Sequence, residues 1–109
     1  MPQDLVARMQ RSRQASAAAT YMLDGMQSNV DKLGAAIELL EAAKSAGPSA
    51  QRQKEALGKG EELMRMLERL DTIEVPAGDD AVRGKRRALA KAINGLVERA
   101  DRAAESFAG

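Results

Sequence analysis

A chain of 109 residues with 17 Lys and Arg against 16 Asp and Glu carries a net charge of only +1. The whole-molecule field is therefore weak and argues little for nucleic acid, and the useful electrostatics must lie in how the charges are segregated. Cysteine and histidine are both absent, which removes disulfides, thiolate metal sites, cysteine nucleophiles and imidazole catalysis.

The length predicts one domain, 1–109, with a modest core. Tyr21 and Phe107 are the only aromatic residues, so Leu, Ile, Val, Met and many alanines must fill that core; such side chains suit close helix packing rather than a β-sandwich. The six methionines read as core filler. No apolar run approaches the ~18 residues of a membrane span, and the start MPQDLVARMQ lacks the apolar centre of a signal peptide. The expectation is a soluble cytoplasmic protein, with the nucleus as a second compartment.

The first predicted helix runs over 4–46. Leu23, Met26, Val30, Leu33, Ile37 and Leu40 alternate steps of three and four, which places them on one helix face. Upstream, SRQASAAAT continues the period only with small residues, and the outer end is expected to fray. Gly25 and Gly34 each cost this helix about 1 kcal/mol relative to alanine, so tertiary packing must hold it. Gly47 and Pro48 stop it, because glycine is comfortable past a helix end and proline cannot extend the ladder.

The second helix is predicted over 49–74, with Leu57, Leu63, Met66, Leu67, Leu70 and Ile73 as its core residues and a weak or bent first half at Gly58 and Gly60. Pro76 and Gly78 end it. Asp79 or Asp80 can then cap a third helix over 80–106, since a carboxylate accepts the orphan N–H bonds there. Val82, Leu89, Ile93, Leu96, Val97 and Ala100 line its buried side. Short connections make sequential helices antiparallel, so the predicted fold class is all-α, an antiparallel up-down-up three-helix bundle.

The charges that remain are segregated. The second helix shows Glu61, Met64, Glu68 and Asp71 on a side away from its leucine seam. On the third, Arg83, Arg86, Arg87, Ala90 and Asn94 fall within about 100° of one another at 3.6 residues per turn. A solvated bundle face is the ordinary account of such runs; a protein-docking surface is the functional one. Lys85-Arg86-Arg87 also looks like the start of a nucleic-acid patch, but Glu98 and Asp101 interrupt it and neither helix offers an aromatic residue to stack a base. Carboxylates on an open helix face have no pocket to desolvate them as acid and base, and no Asp-x-Asp-x-Asp loop gathers oxygens for a cation. No catalytic, cofactor or metal role is assigned.

In order and spacing, LERLDTIEV followed after a short loop by VRGKRRALAKAINGLVERAD resembles the signature half of BAG domains, the Bcl-associated athanogene family. The residues that carry the resemblance are Leu67, Glu68, Leu70 and Asp71, then Lys85-Arg86-Arg87, Asn94, Val97 and Asp101. About forty residues match; the first helix is similar in length and heptad pattern, with VDKL at 30–33. The resemblance implies a co-chaperone that binds the ATPase domain of a seventy-kilodalton heat shock chaperone and promotes ADP exchange by holding its nucleotide cleft open. The partner-binding residues are then Glu61, Glu68, Asp71, Arg86, Arg87 and Asn94, in a monomer without nucleic acid or membrane partners. Asn94 departs from the family, which commonly has glutamine there. The alternative from a different class is a self-associating helical scaffold that uses the Leu23 to Leu40 heptads as its seam and has no exchange activity.

Overall fold

The computed structural model describes residues 2–109, with side chains from Asp4 onward. Three helices account for nearly all of it: α1 at Pro2–Ala42, α2 at Ala50–Asp71 and α3 at Asp80–Phe107, with a 3-10 turn at Lys44–Ala46 between the first two. No strand occurs among the described residues.

The helix ends follow from local chemistry. α1 gives way after Ala42 to the 3-10 turn, short of the expected 46. Gly47 (φ 92°, ψ −170°) then turns the chain in a backbone region open essentially to glycine alone. Ser49 caps α2, its hydroxyl accepting a bond from the Arg52 N–H at 3.2 Å. The same residue's N–H donates to the Phe107 carbonyl at 3.0 Å, which ties the start of α2 to the end of α3. α2 is continuous through Gly58 and Gly60 and stops at Asp71, three residues before the expected 74. There the Thr72 hydroxyl donates to the Arg69 carbonyl at 2.6 Å, a competing local bond of the kind that favours helix ends. Gly78 (φ 84°) supplies the left-handed turn. Of the two candidate caps, Asp79 does the work: its carboxylate accepts from the Val82 N–H at 3.0 Å.

One cluster joins Ala19, Leu23, Val30, Leu33 and Ile37 of α1 to Leu63, Met66 and Leu70 of α2, to Ile73, and to Val82, Leu89, Ile93 and Ala100 of α3. A second, smaller cluster closes the opposite end with Leu40, Ala56, Ala103, Ala104 and Phe107. Phe107, beyond the core positions expected from the sequence, is 1% exposed and is the largest fully buried side chain.

Several core assignments need correction. Leu57 is 49% exposed, and Ala56 and Gly60 hold the seam in its place. Six residues before Leu63, Leu57 stands about 120° off that seam at 100° per residue. Met9, Met22 and Met64 are about half exposed, so they are not core filler; Met66 is buried, Met26 partly so, and Met1 lies outside the described residues. Leu67, Leu96 and Val97 are half-buried at the edges.

The molecule measures 69 × 18 × 16 Å. The 41 residues of α1 rise about 61 Å at 1.5 Å each, so this helix sets the long dimension. Instead of ending in an irregular segment it continues as helix to Pro2, and residues 4–15 are exposed throughout. Its middle and end are pinned to α3 by Lys85 to Asp24 at 3.4 Å and by a two-pronged pair between Arg99 and Glu41, one contact of which is 3.2 Å.

Candidate functional site

The face formed jointly by α2 and α3 carries two adjacent hollows. The first, about 490 Å³, is lined by Leu70, Asp71, Arg83, Arg86, Arg87 and Ala90. Asp71 is the last residue of α2, and the arginines come from the first two turns of α3. The Pro76–Gly78 turn brings these ends together, so three arginines and one aspartate border the same hollow. Asp71 and Arg87 are exposed and make no ion pair or side-chain hydrogen bond among the described residues. Arg83 contacts Asp80 at 3.5 Å, an exposed pair of little energetic weight.

Arg86 differs from its neighbours. It is half-buried, and its guanidinium donates to the Ile73 carbonyl at 3.0 Å. Ile73 lies just past the end of α2, where carbonyls lack helical partners. Arg86 therefore locks the α2 terminus to the start of α3 while its side chain borders the hollow. A charge pattern on a helical wheel gives no sign of this bond, because its acceptor is a main-chain atom of another element.

The second hollow, about 720 Å³, is lined by Leu57, Gly60, Glu61, Met64, Arg65, Val97 and Asp101. Gly60 is buried at this crossing; a β-carbon there would stand 3.7 Å from that of Ala100. Asn94 is exposed on the α3 stripe between the two hollows and lines neither. Glu68 sits elsewhere: it borders the groove between α1 and α2, beside Asn29, Lys32 and Arg69. The structure thus brings Asp71, Arg86 and Arg87 into one hollow, sets Glu61 in the next on the same face, and sends Glu68 toward the opposite groove. Arg83, Met64 and Val97, outside the expected partner-binding set, belong to the face.

Ionisation perturbations lie away from this face. The Arg99 guanidinium, by hydrogen bond and then by charge, holds the Glu41 carboxyl below its ordinary value and is itself raised. The Ser16 hydroxyl, followed by the Val82 N–H, lowers Asp79. Among the described residues no cluster of three or more Asp or Glu could hold a metal ion, and no helix is long and apolar enough to cross a membrane.

A family model, BAG domain, matches residues 23–103. The chain belongs to the BAG domain family. That match extends the forty-residue resemblance back through most of α1, to Leu23 where the buried stripe of that helix becomes regular. BAG domains are protein-interaction modules rather than catalysts, which suits an open face of exposed charges better than it suits an enclosed reaction site. No curated protein and no solved structure matches the chain.

Proposed function

We propose that this BAG domain is a nucleotide-exchange co-chaperone whose α2–α3 face docks on the ATPase domain of a seventy-kilodalton heat shock chaperone. The observation that carries the reading is the BAG match over residues 23–103, a family that typically binds such chaperones. The geometry supports it, since Asp71, Arg86 and Arg87 converge on one hollow of the face that the family resemblance designates. The fold required is an up-down-up antiparallel bundle. It is supported by the Arg86 bond to Ile73 at one end of the α2–α3 pair and the Ser49 bond to Phe107 at the other.

The mechanism is conformational. A rigid face that fits the open arrangement of the two ATPase lobes better than the closed one shifts the chaperone toward opening, and ADP leaves. By linkage, nucleotide weakens binding of the domain by the same factor. Asp71 and Arg86 act as anchors where desolvation is greatest, and the outlying charges of Arg83, Arg87 and Glu61 speed and orient encounter. Asn94, on the stripe between the hollows, offers the donors and acceptors of glutamine with one methylene less reach. The proposed working compartment is the cytoplasm, with the nucleus as a second.

The scaffold alternative loses its seam. Leu23, Val30, Leu33, Ile37 and Leu40 are all buried within the same chain, so this stripe is already occupied, and a monomer is the expected state. The deciding experiment loads a purified chaperone ATPase domain with a fluorescent ADP analogue and adds the domain. Accelerated release, together with dissociation of the complex by ATP, supports exchange activity. Tight binding with an unchanged nucleotide off-rate reduces the protein to an adaptor.

A further inference from the structure

We propose that the second hollow of the α2–α3 face is an apolar seat, built to receive a hydrophobic side chain of the partner that is flanked by a cationic group. The proposal rests on the docking face assigned above and adds the chemistry recognised at its far end.

Leu57 and Met64 are 49% and 46% exposed. They stand seven residues apart on α2, which returns them to nearly the same helix side two turns on, and half-buried Val97 faces them from α3. Single exposed apolar residues are ordinary, but apolar side chains gathered in one concavity mark interaction surfaces. The rim is acidic: Glu61 and Asp101 border the same hollow with one cation, Arg65, and neither carboxylate has an ion pair or side-chain hydrogen bond among the described residues. The neighbouring hollow has the opposite balance, three arginines to one aspartate. The face as a whole is therefore electrically polar along its length, basic near the α2–α3 turn and acidic around the apolar seat.

That polarity selects the occupant. A second copy pairing this patch with itself is isologous and would bring two sets of Glu61 and Asp101 together, a like-charge arrangement that is costly when desolvated. A partner surface with a Lys or Arg beside an apolar side chain satisfies both the rim and the floor. The same partner, docked in register, then meets Arg83, Arg86 and Arg87 with acidic groups. The seat fixes direction as well as affinity, because a reversed docking sets cation against cation.

The test measures affinity of the full chain for the purified chaperone ATPase domain, with melting followed by circular dichroism. A double variant, Leu57→Ser with Met64→Ser, is expected to weaken binding roughly ten- to a hundredfold with little change in melting, since both side chains are half exposed. Leu39→Ser, at a 75% exposed position on α1, should bind like the parent. Glu61→Gln should weaken binding more at low salt than at high salt. If the double variant binds as tightly as the parent while Asp71→Ala does not, the seat is refuted and the docking face stands. If the parent does not bind, the functional reading fails and takes the seat with it. Equal weakening by Leu39→Ser would also overturn the proposal, by showing a nonspecific response to lost surface hydrophobicity.

Discussion

Arg86 has a structural job that Asp71 lacks, beside the partner-binding role proposed for both. Its guanidinium donates to the Ile73 carbonyl at 3.0 Å from a half-buried position. Hydrogen bonds to charged groups contribute about 1.5–3 kcal/mol; partial exposure reduces this, and Arg86→Ala is expected to cost about 1–2 kcal/mol of stability. For a domain of this size that is a fall in melting temperature of about 4–10 °C. Asp71, exposed and without a side-chain hydrogen bond among the described residues, should tolerate Asp71→Ala within about 0.5 kcal/mol, as surface positions do. Thermal melts of the two variants beside the parent make the comparison. With typical domain stabilities of about 5–15 kcal/mol, Arg86→Ala stays folded at room temperature, so its binding can still be compared with the parent's. Equal melting temperatures for Arg86→Ala and Asp71→Ala would refute the idea that Arg86 locks the turn.

Phe107→Ala removes the largest side chain of the small end cluster and should cost about 3–5 kcal/mol, read as a large drop in melting temperature. The glycines at 58, 84 and 95 lie within helices, and an added β-carbon at each has no atom within 4 Å; each change to alanine should stabilise by about 0.5–1 kcal/mol in chemical denaturation. Arg99 depresses the Glu41 carboxyl below its reference value of 4.5, so the pair stabilises above that pH and loses its effect as pH falls through the lowered folded-state value. Because Arg99 is 38% exposed, the effect is about 1 kcal/mol or less. Glu41→Gln should melt below the parent at neutral pH, and the two curves should converge in acid.

The α1 stripe was legible because its aliphatic residues repeat at steps of three and four over more than four turns. On α2 the same rule misplaced Leu57, for a reason in the residues themselves. Ala56 and Gly60 are the buried positions there, and hydrophobicity ranks a nearby leucine above both; only the angle from Leu63 shows that the leucine points away. Phe107 escaped because it follows small, polar and charged residues, and its burial depends on Leu40 and Ala56, more than fifty residues earlier in the chain. The charged stripes of the candidate face were legible from spacing, but the register between them was not. The turn at Pro76–Gly78 decides that Asp71 shares a hollow with Arg83, Arg86 and Arg87, and the packing of α2 on α1 decides that Glu68 borders the groove on that side.

The distribution of ion pairs explains how one small bundle can be both firm and available. Among the described residues, the pairs that join different helices run from α1 to α3, Asp24 with Lys85 and Glu41 with Arg99. The α2–α3 joint relies instead on apolar packing, the close crossing at Gly60 and Ala100, and the main-chain ties made by Ser49 and Arg86. Salt bridges across α2 and α3 would have committed Asp71, Arg87, Glu61 and Asp101 to one another, and a partner would then have to break those pairs before docking. Holding α3 from behind, through α1, fixes the backbone of the proposed docking face and leaves Asp71, Arg87, Glu61 and Asp101 without ion-pair partners among the described residues. The ordering cost of binding then falls on a few side chains rather than on the helices, which is how a preorganised surface converts more of its contacts into affinity.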